Sequence, residues 1–95
     1  MRDLTEQEIK TLNIIALNEP VTKSTLTRNL HYHGITGSVR DMAIEELIAF
    51  GLVKKHQPAF LIRRGGRKPT TYEATHGGHR YLEDYIEQQN SLGAA

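Results

Sequence analysis

The chain has no cysteine and no tryptophan, and its 95 residues include only three prolines. Without cysteine there is neither a disulfide framework nor a thiolate metal site, which fits a reducing compartment. No apolar run approaches the roughly 20 residues needed to cross a bilayer, and the N-terminus lacks an apolar signal core. A cytoplasmic location and no membrane partner are therefore expected. Catalytic signatures are missing too: no glycine-rich loop ends in GK[ST], and no Ser nucleophile stands at a recognisable spacing from a base. A chain this short has little room for a substrate cavity beside its core, so no enzyme activity, catalytic residue or cofactor is expected. One further absence is local. From Leu47 to Tyr72 there is not one Asp or Glu, while that stretch holds six Lys or Arg. The near-neutral total of +1 thus conceals a segment of +6 against a remainder of −5. Such asymmetry marks a surface suited to a polyanion.

What is present reads as an ordinary globular domain, with 38% hydrophobic and 24% charged residues. One domain is expected over residues 1–90, followed by a flexible tail, 91–95. Thr5 stands three residues before Glu8, a capping-box spacing, and predicts a helix to about Leu17 with Ile9, Leu12, Ile15 and Ala16 on its inner face. Asn18-Glu19-Pro20 ends it, because the residue before proline is driven out of the helical region. Thr22 or Ser24 starts a short second helix through Leu26 and Leu30, closed by Gly34. A third starts at Thr36 or Ser38, where Ser38 and Asp41 again have capping-box spacing, and runs to Phe50 before Gly51. Its expected core face is Val39, Ala43, Ile44, Leu47 and Phe50. Beyond it the period changes to that of strands. Leu52-Val53, then Phe60-Leu61-Ile62, lead to a hairpin tip at Arg64-Gly65-Gly66-Arg67, and Thr70-Thr71-Tyr72 return. Thr75 caps a last helix with the stripe Tyr81, Leu82, Tyr85 and Ile86. The expected architecture is mainly α with a small two-stranded β-hairpin, in the order helix, helix, helix, strand, strand, helix.

Three stretches, EPVTKSTLTRNL, IEELIAFGLVKK and GRKPTTYEATHGGHRYLE, resemble the winged helix-turn-helix family of DNA-binding regulators and together span nearly the whole chain. The resemblance implies a third helix that reads bases, a basic wing, and a second helix that touches phosphates, with double-stranded DNA as the partner. The implied recognition residues are His33, Thr36, Gly37, Ser38, Arg40, Asp41 and Met42. Met42 suits a thymine methyl, Asp41 a cytosine amino group and Arg40 a guanine, whereas helix capping is the competing role for Asp41. Arg40 departs from the pattern, standing where related helices place a β-branched core residue, so either the helix start is locally reset or Arg40 snorkels from the core edge toward the surface. The implied wing contacts are Arg63, Arg64, Gly65, Gly66, Arg67 and Lys68, where a bend without side chains lets guanidinium groups approach DNA from both arms. On the second helix they are Lys23, Ser24, Thr25 and Arg28.

Family habit also implies a repressor-like homodimer, with Tyr81, Tyr85 and Ile86 as its contact, joined by Leu4 and Ile9. Five histidines raise a metal hypothesis, with His76 and His79 three apart, but there is no compact ligand set and no metal is expected. Two other classes remain open. The acidic outward face of the third helix, Asp41 and Glu45, suits a protein-interaction module, and the basic wing suits a replication-accessory role on other nucleic acid. Target sequence and effector ligand are not written in these residues.

Overall fold

The computed structural model describes residues 3–57 and 70–93, with α1 (Glu6–Leu17), β1 (Val21–Thr22), α2 (Lys23–Tyr32), α3 (Gly37–Ala49), β2 (Val53–His56), β3 (Thr71–Ala74) and α4 (His76–Gly93). Thr5 and Glu8 form the expected capping box: the Glu8 Oε1 accepts from the Thr5 N–H at 2.8 Å, and the Thr5 Oγ1 accepts from the Glu8 N–H at 3.3 Å. After α1 the Asn18 amide donates to the Ile14 carbonyl at 2.8 Å, and the Glu19–Pro20 peptide is cis.

Helices α2 and α3 end in the same way. The N–H groups of Gly34 and Ile35 donate back to His31 and Leu30, and those of Gly51 and Leu52 donate back to Ile48 and Leu47. Both are Schellman closures, which need a left-handed residue, and Gly34 and Gly51 each stand at φ 75°. Each closure also brings two apolar side chains together, Leu30 with Ile35 and Leu47 with Leu52, and all four belong to the core.

That core is filled by Leu12, Ile15, Leu26, Leu30 and Leu47, all fully buried, with Tyr72 and Leu82 closing it from the sheet and from α4. Each such aliphatic side chain contributes about 1.5 to 3 kcal/mol by leaving water. Thr11 is buried among them because its hydroxyl donates to the Gln7 carbonyl at 2.7 Å.

The structure departs from the sequence-based expectation in three places. The sheet has three strands in the order β1-β3-β2, all antiparallel, rather than two: Val21 pairs with Tyr72 and Thr22 with Thr71. A two-residue strand has no alternation to detect, and it forms because the chain leaving Pro20 runs beside β3. Val39 is not core but 50% exposed. The buried stripe of α3 is Ala43, Ile44 and Leu47, and Val39 lies roughly 90° from its centre, whereas Arg40 lies on it. Phe50 is half-buried against the core. Third, Ser38 and Asp41 form no capping box. The helix begins at Gly37 with Thr36 at the N-cap position and no side-chain cap, so Ser38 is already inside the first turn. The helix α4 runs to Gly93. The expected strand at Phe60-Leu61-Ile62 lies outside the described residues.

Candidate nucleic-acid interface

Thr22 organises the start of α2. Its hydroxyl accepts from the Thr25 N–H at 3.2 Å and lies 3.0 Å from the Thr25 hydroxyl and 3.4 Å from that of Ser24. Ser24 and Thr25 are therefore part of the cap as well as exposed, while Lys23 and Arg28 project from the same helix into solvent. The turn that follows exposes His33 and delivers the chain to α3.

Helix α3 presents Thr36, Gly37, Ser38, Asp41, Met42 and Glu45 outward. Its first turn has no side-chain cap, and N–H groups at a helix start suit an anion. Met42 is 62% exposed and, with Val39 one turn before it, walls an apolar groove of about 250 Å³ against Thr5, Gln7 and Glu8 at the start of α1. Val39 was missed as a surface residue because helical periodicity put it at the margin of the apolar face. Arg40 takes the inward direction instead. Its side chain is 24% exposed, and its Nε donates to the Asp41 Oδ1 at 3.1 Å.

On the side of α3 away from that groove lies a cleft of about 270 Å³, lined by Lys23 and Thr27 from α2, Arg40, Asp41, Ile44, Glu45 and Ile48 from α3, and Lys55 and Tyr72 from the sheet. Three cations from three elements, Lys23, Arg40 and Lys55, thus converge beside the outward face of α3. The convergence of Lys55 and Tyr72 on this cleft was not legible in the sequence, because it depends on how the sheet packs. Burial, and secondarily the negative charge of Asp41, push the Tyr72 hydroxyl above the ordinary tyrosine range. Lys54 and His56 alternate with Lys55 along β2. The His56 Nε2 lies 2.7 Å from the Glu73 Oε1, and this hydrogen bond, helped by the positive charge of Lys54, lowers the Glu73 carboxyl below its usual range.

Arg63, Arg64, Gly65, Gly66, Arg67 and Lys68, the expected wing contacts, lie outside the described residues. Tyr81 is half-buried against the core, and its hydroxyl accepts from the Leu4 N–H at 3.2 Å. Leu4 itself is core and Ile9 is half-buried beside it. Tyr85 is half-buried and Ile86 is 53% exposed. His79 does not pair with His76 across a ligand site. Its Nε2 lies 2.8 Å from the Glu19 Oε1, an oxygen that also accepts from the Ala74 N–H at 2.7 Å and so ties the α1 end to the sheet and α4. Among the described residues no three His, Cys, Asp or Glu side chains are grouped to hold a metal, and no helix is long and apolar enough to cross a membrane.

Two helices joined by a Schellman turn, the second presenting a polar face, followed by a β2–β3 pair and a closing helix, define a winged helix-turn-helix. Solved structures with the same fold include FabT of Streptococcus pneumoniae in complex with DNA, at a TM-score of 0.69 and 17% identity over 97% of this chain and 59% of that one. A mutant of MepR from Staphylococcus aureus superposes at 0.76 with 15% identity, covering 97% of this chain and 63% of that one. A PadR-like transcription factor from Bacteroides fragilis gives 0.72 and 15%, covering 92% and 82%. The chain thus spans about six-tenths of the length of the first two. No family model matches the sequence, and no curated protein does.

Proposed function

We propose that this protein is a sequence-specific double-stranded DNA-binding regulator, repressor-like in action, that works as a homodimer through α3 and a basic wing. The observation that carries it is the cleft where Lys23, Arg40 and Lys55, from three separate elements, flank the exposed N-terminal half of α3. A recognition helix is useful only if phosphate contacts on either side fix its register, and Lys23 of α2 and Lys55 of β2 support that reading. FabT, whose fold this chain shares, was solved with DNA bound. The wing residues Arg63, Arg64, Arg67 and Lys68, around Gly65-Gly66, would extend the same cationic surface.

Dimerisation rests on α4. From Glu83 to Gln89 only Tyr85 is even half-buried, so this stretch of the helix packs little against the other described residues while presenting Ile86. Tyr85 and Ile86 on that stretch suit a second copy, and two half-sites double the surface available for recognition.

The test is an electrophoretic shift with a random duplex pool followed by a salt series on the selected site. Wild-type protein is expected to retain a discrete sequence, and Lys23→Ala with Lys55→Ala to lower the log-log salt slope by roughly 2, about one for each phosphate no longer neutralised. Arg64→Ala with Arg67→Ala is expected to lower it by a similar amount. No retention of duplex at low salt, with capture of single strands or RNA instead, would rule out the duplex assignment.

A further inference from the structure

Arg40 stands at the centre of the inward stripe of α3, at the end where the core gives way to the cleft. Successive residues on a helix point about 100° apart and do not face one another unaided. Its guanidinium is nevertheless folded sideways across the helix surface, with Nε 3.1 Å from the Asp41 Oδ1. Asp41 engages Nε, so the terminal amino groups, the fork that recognises planar acceptors, take no part in that bond. Lys23 and Lys55 line the same cleft and repel a third cation, which favours a guanidinium held by a carboxylate. Asp41 and Tyr72 line the same cleft, so that carboxylate lies near the sheet side as well.

We propose that Asp41 is a positioning residue that orients Arg40 to read one guanine in the major groove, and that Asp41 itself reads no base. This rests on the duplex-binding function proposed above. Bidentate contact with guanine O6 and N7 needs two N–H groups in a set plane, and an arginine tethered at Nε loses less freedom on forming it. The pairing also explains an acidic residue on a helix meant for DNA. The charge of Asp41 is balanced within the pair, so α3 adds little to phosphate attraction and contributes chiefly to sequence preference. The other carboxylate lining the cleft is Glu45, one turn farther along the helix. Without Asp41 the guanidinium loses the tether at Nε.

The experiment compares wild type, Arg40→Ala, Arg40→Lys and Asp41→Ala on the selected duplex and on variants with one base pair changed at a time. Arg40→Ala is expected to lose discrimination at one G·C pair by about 5- to 150-fold. Asp41→Ala is expected to lose discrimination at that same pair while holding unrelated duplex as well as wild type or better, since one negative charge is gone. The double variant should lose no more than either alone. Arg40→Lys keeps the charge without the fork, so it should keep the salt slope and lose the preference. Alanine favours helix at both positions, and circular dichroism confirms folding. Asp41→Ala with the wild-type preference intact at the Arg40 pair, or with a preference lost at a different pair, overturns the positioning role alone. Wild-type protein that binds no duplex, or all duplexes alike, overturns the DNA-binding function and this inference together.

Discussion

At Gly78 a hydrogen stands where any other residue would carry a carbon. A Cβ there would drive into the Leu52 carbonyl oxygen and sit 3.3 Å from the Ala74 Cβ. That carbonyl is held in place by the Thr75 N–H at 2.9 Å, so it has little freedom to withdraw. Its neighbour Gly77 meets nothing closer than the Thr75 Oγ1 at 3.6 Å, an ordinary contact. Gly78→Ala should therefore destabilise the fold by about 1 to 3 kcal/mol through overpacking, whereas Gly77→Ala should be neutral or stabilising by up to about 1 kcal/mol through helix propensity. Urea unfolding of the two variants side by side checks this, and equal midpoints would refute the close approach of α4 to the sheet. Both glycines read alike in the sequence. What separates them is the carbonyl of Leu52, far back in the chain, which no local pattern reveals. The Thr5 and Glu8 pair is the opposite case: its partners are three residues apart, so their spacing alone was enough to read it.

At the scale of elements, Thr75 joins two helices through one hydroxyl. It donates to the Gly51 carbonyl at 2.6 Å, at the closure of α3, and accepts from the Gly78 N–H at 3.1 Å, at the start of α4. The N-cap role was legible, since a Thr before a helical pattern is a start signal, but the link to Gly51 was not. Thr75→Ala should cost about 1 to 2 kcal/mol, because it removes a cap and leaves a backbone acceptor without its partner. Thr75→Ser, which keeps both hydrogen bonds, should stay close to wild type, and thermal melts of the pair distinguish them. The third helix shows how periodicity reaches its limit. Ala43, Ile44 and Leu47 were correctly placed inward, but Val39 turns outward at the N-terminal end, and Arg40 lies at the core edge, one of the two places its sequence position had left open. There the core has ended, and an arginine stem lines a cleft that it tolerates better than a fully dry interior.

At the scale of the whole molecule, the outer half of α4 and the clustered cations set the expectations. If α4 forms the dimer contact, sedimentation equilibrium should show a dimer across the micromolar range. Ile86→Asp should shift it to monomer with helical content unchanged, because Ile86 is exposed and does not support the core. Loss of the second half-site should then weaken specific binding by at least about tenfold. A monomeric wild type at every concentration would exclude this arrangement. Electrostatically, the excess of +6 between Leu47 and Tyr72 was visible as composition. The union of Lys55 from that stretch with Lys23 and Arg40 from outside it was not, because the three are widely separated along the chain and meet only when α2, α3 and the sheet pack.

The linear order of residues was enough to determine the succession of helices, the caps at Thr5 and Thr75, the two glycine closures and the winged-helix class. Each of these depends on partners a few positions apart, or on a period that repeats within one element. Tertiary packing decided the third strand, the outward turn of Val39, the inward turn of Arg40 and the gathering of three cations around one cleft. Those outcomes depend on distant segments meeting, and on where the core runs out of depth, so they arise only once the chain has folded.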